Sequence, residues 1–388
     1  MKFNLFMNYL TFIFTVFFVQ CSFQEESNTY LNQVPPDNSR KKFEVKVDPG
    51  YIAAERIAIS KDKKEIYYEI TKNYETYKIK YYKYYDKKWN GPFDLLNNFY
   101  ALALSNDDNA LYIENNNYQD CWMIKRDGKE WNSPVRFLKN HKVHYLQVTD
   151  KGNYYLSSYP ENGLGNLDIC KLVITKADTS IVGLGYPVNS SYIDGDFYIS
   201  KDETFMIIMS YRGGLERTDL FVSFNKGNNA WTNPKNMGTE VNTSGDEYGP
   251  YVTDDNKYLF YTSGTDMSNT SIYWICIDEL LEKLKKSNYA PYVNNKIKDM
   301  VYPVGHQFNY QLPDSIFIDD DGINSLTYSA TLDNDEPLPT WIKFQEDNKT
   351  FSGILSKAGA FNIKITAIDS ENERTSCTFS LEVKYTGS

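Results

Sequence analysis

The chain has 388 residues, with 41 lysines and arginines against 51 aspartates and glutamates, a formal charge of −10 and a pI near 5.0. That balance disfavours nucleic acid and anionic lipid, both of which select basic surfaces. The length leaves room for one large and one small domain, each with its own core.

In chain order, the first element is an export signal. Lys2 supplies the positive charge, LTFIFTVFFV (10–19) the apolar core, and Cys21 follows at once. The apolar run is too short to span a bilayer comfortably, and no later stretch is apolar enough to do so. Cys21 in that place resembles the lipidated cysteine of a lipoprotein signal, although Gln20 stands where that pattern has Gly, Ala or Ser. The resemblance implies a signal peptide over 1–20 and a lipid-anchored tether over 21–40, held durably by several acyl chains. Glu25 and Glu26 resemble the acidic signal that routes Bacteroidetes lipoproteins to the cell surface. The expected location is therefore the outer membrane, on its cell-surface or periplasmic face; the alternative is an ordinary secretory signal with a chance cysteine.

Between residues 55 and 278 nearly the same pattern occurs five times. The openings read IAISKDKKEIYY, LALSNDDNALYI, LQVTDKGNYYLS, FYISKDETFMII and PYVTDDNKYLFY. Each is a short apolar strand, a polar turn with an aspartate, and a second strand rich in tyrosine. The turn residues Asp62, Asp107, Asp150, Asp202 and Asp255 lie 45, 43, 52 and 53 positions apart. Repeats of that period built from short strands predict a β-propeller, because one small sheet cannot bury both its faces alone. A third strand follows in each copy: YKIKYYKYY, DCWMIKR, LDICKLVI, TDLFVSF and SIYWICID. A Trp-x-x-Pro signature then announces an edge strand at Trp89 and Pro92, Trp131 and Pro134, and Trp231 and Pro234, since proline suits a strand with no further partner. In the third copy GLGYPVNSS stands in for it. The fifth copy has no fourth strand, because ELLEKLKK reads as an amphipathic helix. KKFEVKVDPG (41–50) is expected to supply that strand, with residues 43–47 pairing against 272–277 and closing the ring. The motif count gives five blades over residues 41–287, or six if a degenerate copy is hidden among them.

These repeats resemble the TolB-like β-propeller repeats common in lipoproteins of Bacteroidetes. The fourth copy carries the likeness most clearly, in SYRGGLERTDLFVSFNKGNNAWTNPKNMGTEVNTSGDEYGPYVTDDNKYLFYTS. The resemblance implies a scaffold; function lies in the loops grafted onto it.

Cys121, Cys170, Cys276 and Cys377 remain beyond the signal. Three occupy the third strands of different copies, too far apart for a disulfide, and no CxxC spacing exists. All four read as buried thiols acting as small apolar side chains.

From residue 288 to 388 a second domain follows. HQFNYQL, LTYSATL, TWIKFQ, TFSGIL, AFNIKITAID and TFSLEVKY alternate apolar and polar residues. About seven short strands over some hundred residues predict an immunoglobulin-like sandwich, so the whole chain is all-β. FIDDDGINSLTYSA, LPTWIKFQEDNKTFSGIL and GAFNIKITAIDSENERTSCTFSLEV resemble the cadherin-like, dystroglycan-type immunoglobulin domains. That resemblance implies an adhesive or spacer role. Asp319 and Asp321 share one loop, and Asp369 sits at the place of that family's Thr-Ala-x-Asp-Ser motif, so calcium is the one cofactor the chain suggests. The alternative is that these acids cap turns and stay solvated.

Catalytic signals are sparse. The chain has 3 histidines. His141 and His144 fall where a strand would point them to different faces, and no sialidase-type box follows the turns. The recurrence of Asp62, Asp107, Asp202 and Asp255 at one position per copy points to turn stabilisation, and no residue is assigned a catalytic role. The chain also carries 33 tyrosines, more than one buried face can absorb. Exposed aromatics beside amides suit sugars, and tyrosine also dominates protein-binding surfaces. The loops 158–166 and 210–219 both follow a second strand, on one side of the ring. Tyr159, Asn162, Tyr211, Arg212 and Arg217 are the ligand candidates there. The reading is an exported, lipid-anchored binding protein for a glycan or protein ligand. The alternatives are a carbohydrate-active hydrolase or lyase in the propeller funnel, and a structural envelope component that binds another protein.

Overall fold

The structure, a computed structural model, describes residues 30–115, 120–139, 141–161, 163–175, 178–212, 215–266, 268–320 and 326–385. Cys21, Asn162 and Asp321 lie outside them.

Among the described residues, five antiparallel sheets make up the first domain. Sheet one comprises Ile52–Ile59, Glu65–Lys72, Thr76–Tyr85 and Lys88–Asn97. Sheet two comprises Phe99–Leu104, Ala110–Asn115, Cys121–Asp127 and Val135–Leu138, and sheet three His144–Val148, Tyr154–Ser158, Asp168–Ile174 and Thr179–Gly183. Sheet four is built from Asp194–Ile199, Phe205–Ser210 and Asp219–Gly227 with two short edge pieces, and sheet five from Asp246–Val252, Tyr258–Gly264 and Thr270–Cys276. The first strand of each sheet packs against the first strand of the next, and that of sheet five packs against that of sheet one. The result is a closed ring of blades, a β-propeller, in which each sheet buries its faces against two neighbours.

The turns explain why the repeat recurs. Ser60 Oγ donates to Asp62 Oδ1 at 2.7 Å, and that oxygen also accepts the Lys64 N–H at 3.0 Å. Ser105 with Asp107 (2.6 Å) and Thr253 with Asp255 (2.5 Å) repeat the arrangement. Asp202 accepts from the backbone N–H of Thr204 at 3.1 Å. Carboxylates closing such turns satisfy the local backbone, and the Ser105 hydroxyl with the Asn109 N–H holds Asp107 down to about 2. The third turn departs from the expected repeat. Asp150 directly follows Thr149, whose hydroxyl instead donates to Glu203 of sheet four at 2.6 Å.

The N-terminal segment closes the ring, in a register different from the expected one. Lys41 and Lys42 pair with Trp274 and Tyr273, and Phe43 N–H donates to Ile272 O at 2.8 Å. Residues 44–48 do not continue the ladder, because sheet one takes them. Lys46 O accepts from Tyr68 OH at 2.6 Å, and Asp48 binds Lys78 at 2.6 Å and Lys80 at 2.9 Å. Nor is the stretch before the strand a free tether throughout. Tyr30 is 2% exposed, its ring 5.3 Å from that of Trp274. In sheet three the outer strand is Thr179–Gly183, upstream of the GLGYPVNSS stretch expected to replace it. Its half-exposed edge carries little hydrophobic pattern.

Cys121 and Cys170 are buried, whereas Cys276 and Cys377 are only half-buried, so the expectation of four buried thiols fails at two positions; all four are free. Cys276 ends its strand beside the Asp278–Lys286 helix, and Cys377 lies on a half-covered strand of the second domain. The helix follows the third strand of sheet five as expected, laying Leu280, Leu281 and Leu284 on the core of sheets four and five.

The second domain is a sandwich. One sheet orders Met300–Pro303, Arg374–Lys384, Gly359–Ile368 and Thr327–Leu332, the first pair parallel. The other orders Gln307–Gln311, Thr350–Ile354 and Ile342–Gln345. Phe308, Phe351, Phe379 and Leu381 fill the space between them. Asp320 bridges to the propeller, accepting from Lys226 Nζ at 2.5 Å and Asn233 N at 2.6 Å.

Candidate functional site in the propeller funnel

Each inner strand breaks its ladder at the same height. Pairing shifts between Ala54 and Ile57, Tyr100 and Ala103, His144 and Gln147, Asp194 and Phe197, and Tyr248 and Tyr251. Such bulges re-aim side chains and bend the strand. Glu55, Ala101, Tyr145 and Gly249 take positive φ there, at 61°, 51°, 52° and 59°. At Gly249 this is obligatory, because a Cβ would lie 2.4 Å from the Glu55 carbonyl oxygen across the seam of the ring.

The bulges surround a cavity of about 450 Å3 at one end of the axis. Tyr74, Tyr77, Tyr100, Tyr211 and Tyr248 form most of its wall, with Met209 and Thr218. Tyr77 and Tyr100 stack at 4.5 Å between ring centroids, and the hydroxyls of Tyr74 and Tyr248 bond directly to each other. The polar members are Glu55, His144, Asp196 and Asp246.

Beneath the tyrosines the polar groups form a network. His144 Nδ1 lies 2.9 Å from Glu114 Oε2 and its Nε2 3.2 Å from Asp196 Oδ1. The other Glu114 oxygen accepts the Tyr145 N–H at 2.6 Å, and the other Asp196 oxygen accepts the Gly249 N–H at 3.1 Å. Burial opposes a charge on His144, but the two carboxylates outweigh it and raise the imidazolium well above its ordinary range. Tyr145 OH donates to Glu55 Oε2 at 2.6 Å. Burial, reinforced by the Asp196 charge, pushes the Glu55 carboxyl up to about 7. Below it, Arg56 is 1% exposed, lies 4.0 Å over the Tyr145 ring and donates to Phe197 O. Glu69 is fully buried; one oxygen accepts the Leu102 N–H at 2.7 Å, and burial drives its carboxyl far upward. His144 and Arg56 thus share the buried site with the carboxyl groups of Glu55, Glu69, Glu114 and Asp196, and burial raises the first three of these. A buried charge without such pairing would be strongly disfavoured.

The loop candidates divide. Tyr211 lines the funnel. Arg212 turns inward, pairing with buried Asp194 at 2.7 Å and the Val188 carbonyl at 2.5 Å, so its guanidinium is committed to holding the fourth blade. Arg217 stays half-exposed at the rim, donating to Thr265 O at 2.8 Å and lying 3.9 Å from Asp246. Tyr159 is 59% exposed and lines an adjoining cavity of about 250 Å3 with Lys142 and His144. In the sandwich, Asp319 is 5% exposed. Asp369 accepts backbone N–H groups of Glu371 and Glu373 at 2.8 and 2.9 Å and the Asn288 amide at 2.8 Å. Among the described residues no three His, Cys, Asp or Glu side chains are grouped to hold a metal, and no helix is long and apolar enough to cross a membrane.

The funnel residues were accessible in the sequence by one route. Glu55, Tyr100, His144 and Tyr248 all stand five positions before the turn Ser or Thr of their repeat, at Ser60, Ser105, Thr149 and Thr253. A position that is polar or aromatic inside otherwise apolar strands marks the axis. His144 stands at that position, although HKVH read as a regular strand only points His141 and His144 to different faces.

Residues 290–384 match the family described as "Putative Ig domain" (He_PIG), which is the sandwich. No curated protein matches the chain. Among solved structures, "putative TolB" from Agrobacterium tumefaciens is 12% identical, covering 58% of this chain and 77% of that one at a TM-score of 0.38. The extracellular domain of a hybrid two-component system from B. thetaiotaomicron is 11% identical, covering 89% and 46%, at 0.35. Two "putative alpha-galactosidase" structures from Bacteroides fragilis are 14% and 13% identical at TM-scores of 0.19; the match covers 24% of this chain, which spans only 17% of their length.

Proposed function

We propose that the protein is an exported, envelope-anchored binding protein whose funnel receives an uncharged or basic sugar unit of a glycan, with the sandwich bracing the ring. The observation that carries this reading is a cavity in which the partly exposed rings of Tyr74 and Tyr211 stand with the carboxylates of Glu55 and Asp246. Aromatic faces pack against the C–H surface of a sugar ring, and carboxylates accept its hydroxyl hydrogens. A mostly apolar pocket with a few convergent polar groups is the general form of a small-ligand site. The carboxylates disfavour acidic sugars by like charge. Titration calorimetry against neutral, amino and sialylated saccharides tests the reading. Neutral or amino sugars should bind, and Tyr211→Ala should weaken them about tenfold, the loss of one aromatic contact of about 1.4 kcal/mol. Binding confined to sialylated sugars, or to none, would overturn it.

A second reading, glycan cleavage, is favoured by Glu55. A buried carboxyl pushed up to about 7, chiefly by burial, suits a general acid. Glu55 would protonate the glycosidic oxygen as the bond from it to the anomeric carbon breaks, while water adds to that carbon and gives its proton to a second funnel carboxylate, Asp246, releasing two shorter saccharides. Turnover of a bound glycan by the native protein, lost in Glu55→Gln, would establish it.

A further inference from the structure

We infer that the ligand is a chain of at least two sugar units, gripped at two subsites that meet at His144; this rests on the funnel being a sugar site. The imidazole lines both the 450 Å3 funnel and the neighbouring 250 Å3 cavity, so the two spaces share a wall. The funnel offers the partly exposed rings of Tyr74 and Tyr211 as its stacking surface. The second space is bounded by Lys142, Val143, Ser157, Tyr159 and Leu167.

The outer space has the composition of a subsite. Tyr159 is one of the most exposed large side chains of the propeller, at 59%, although it follows a strand whose last four residues are buried. The Lys142 ammonium lies 5.2 Å from the centre of its ring, which steadies the exposed aromatic. Val143 is buried and fixes the backbone of the cavity wall, and the Ser158 hydroxyl donates to the Lys142 carbonyl, tying the residues just before the strand His144–Val148 to the end of the strand Tyr154–Ser158, which Tyr159 follows. An exposed tyrosine with a cation at its face offers a stacking surface plus a hydrogen-bond donor, which is what a second pyranose ring needs. Both Tyr159 and Tyr211 follow second strands, so the two subsites open on one end of the ring. His144 is held from both sides by Glu114 and Asp196, so the wall between the subsites is rigid and the ligand must bend over it.

The experiment compares chain lengths by titration calorimetry: N-acetylglucosamine with its β-1,4-linked di- to tetramers, and glucose with its α- and β-linked di- to tetramers. In the native protein, extension from one unit to two or three should raise affinity at least tenfold. Tyr159→Ala, at an exposed site that folding does not need, should abolish that gain and leave monosaccharide affinity unchanged. Tyr211→Ala should weaken every length. A monosaccharide that binds as tightly as its oligomers, or a gain that survives Tyr159→Ala, overturns the two-subsite inference while the funnel reading stands. Failure of every saccharide at every length overturns both.

Discussion

Lys63 Nζ lies 2.8 Å from Asp255 Oδ2, joining turns 192 positions apart in the first and last blades. The same kind of contact recurs between other neighbouring turns. Lys61 N–H reaches Asp108 at 2.8 Å, and Lys201 reaches Asp254 at 2.8 Å. Exposed pairs of this sort contribute little singly. The seam itself depends on packing, through Phe43 and Tyr30 against sheet five, and on the close approach of Gly249 to Glu55.

Phe43→Ala tests the packing half of the closure. Its ring is 1% exposed, 5.1 Å from Phe260 and 5.3 Å from Trp274. Truncation of a buried phenylalanine costs about 3–5 kcal/mol. Urea unfolding followed by tryptophan fluorescence should show the propeller transition shifted by that amount; a shift under about 1 kcal/mol would mean that the N-terminal strand is dispensable.

Gly249→Ala tests the backbone half. The new methyl group would meet the Glu55 carbonyl at 2.4 Å on a residue with φ of +59°. The seam must open or the bulge must flatten, and either moves Asp196, which accepts the Gly249 N–H. The expected outcome is a loss of at least about 2 kcal/mol, together with weaker ligand binding. Native stability in this variant would show that the seam is not tight.

The acid side should be the stable side for the funnel network. Glu55 titrates at about 7 when folded, against an ordinary 4.5. Between those values the folded state holds the proton that the unfolded state has lost, so stability falls as pH rises, by at most about 3 kcal/mol. His144 acts in the same direction. Its raised value contributes stability that is complete below its ordinary 6.5 and is lost as pH climbs through the folded value. Glu55→Gln should therefore flatten the fall between pH 4.5 and 7 and leave the His144 part above it. Unfolding measured at half-unit pH intervals reads both; an unchanged slope in the variant would remove Glu55 from the network.

Asp320 is the contact to remove between the domains. Its side chain is 2% exposed and holds Lys226 and the Asn233 N–H. Asp320→Ala should leave both domains folded and speed proteolysis of the connecting stretch near residues 287–291. Equal cleavage rates in the native and variant proteins would show that other contacts fix the junction.

Cys21→Ala should release the protein from the membrane fraction and abolish labelling by a radioactive fatty acid. A native protein that is soluble and unlabelled would end the anchoring proposal, and Gln20 would be the reason.

Turns, edges and the helix were legible because their causes are local. A Ser or Thr two residues before an Asp closes the same turn wherever it occurs, and Trp-x-x-Pro marks an edge by removing a donor. The register of residues 41–48 was not legible. Alternation in KKFEVKV permits several pairings, and the competition of sheet one for Lys46 and Asp48 decided among them. The outer strand of sheet three escaped because an exposed edge demands no pattern. The axis escaped for a related reason. His144, Glu55 and Asp196 are brought together by bulges, and a bulge is visible only once the partner strand is known.

The bulges also separate the stability of the ring from its specificity. The strand segments on either side keep their own partners, while residues 55–56, 101–102, 145–146, 195–196 and 249–250 between them have no cross-strand partner. Position 55 can therefore change chemistry without shifting a ladder, and positions 100, 144 and 248 stand on the rung beside a break. At Gly195, the equivalent position of the fourth blade, a methyl group would meet the end of the flexible Met209 side chain at 2.8 Å. A ring built in this way can be turned toward a new ligand one blade at a time, each step altering a single face of the cavity and leaving the other four as they were.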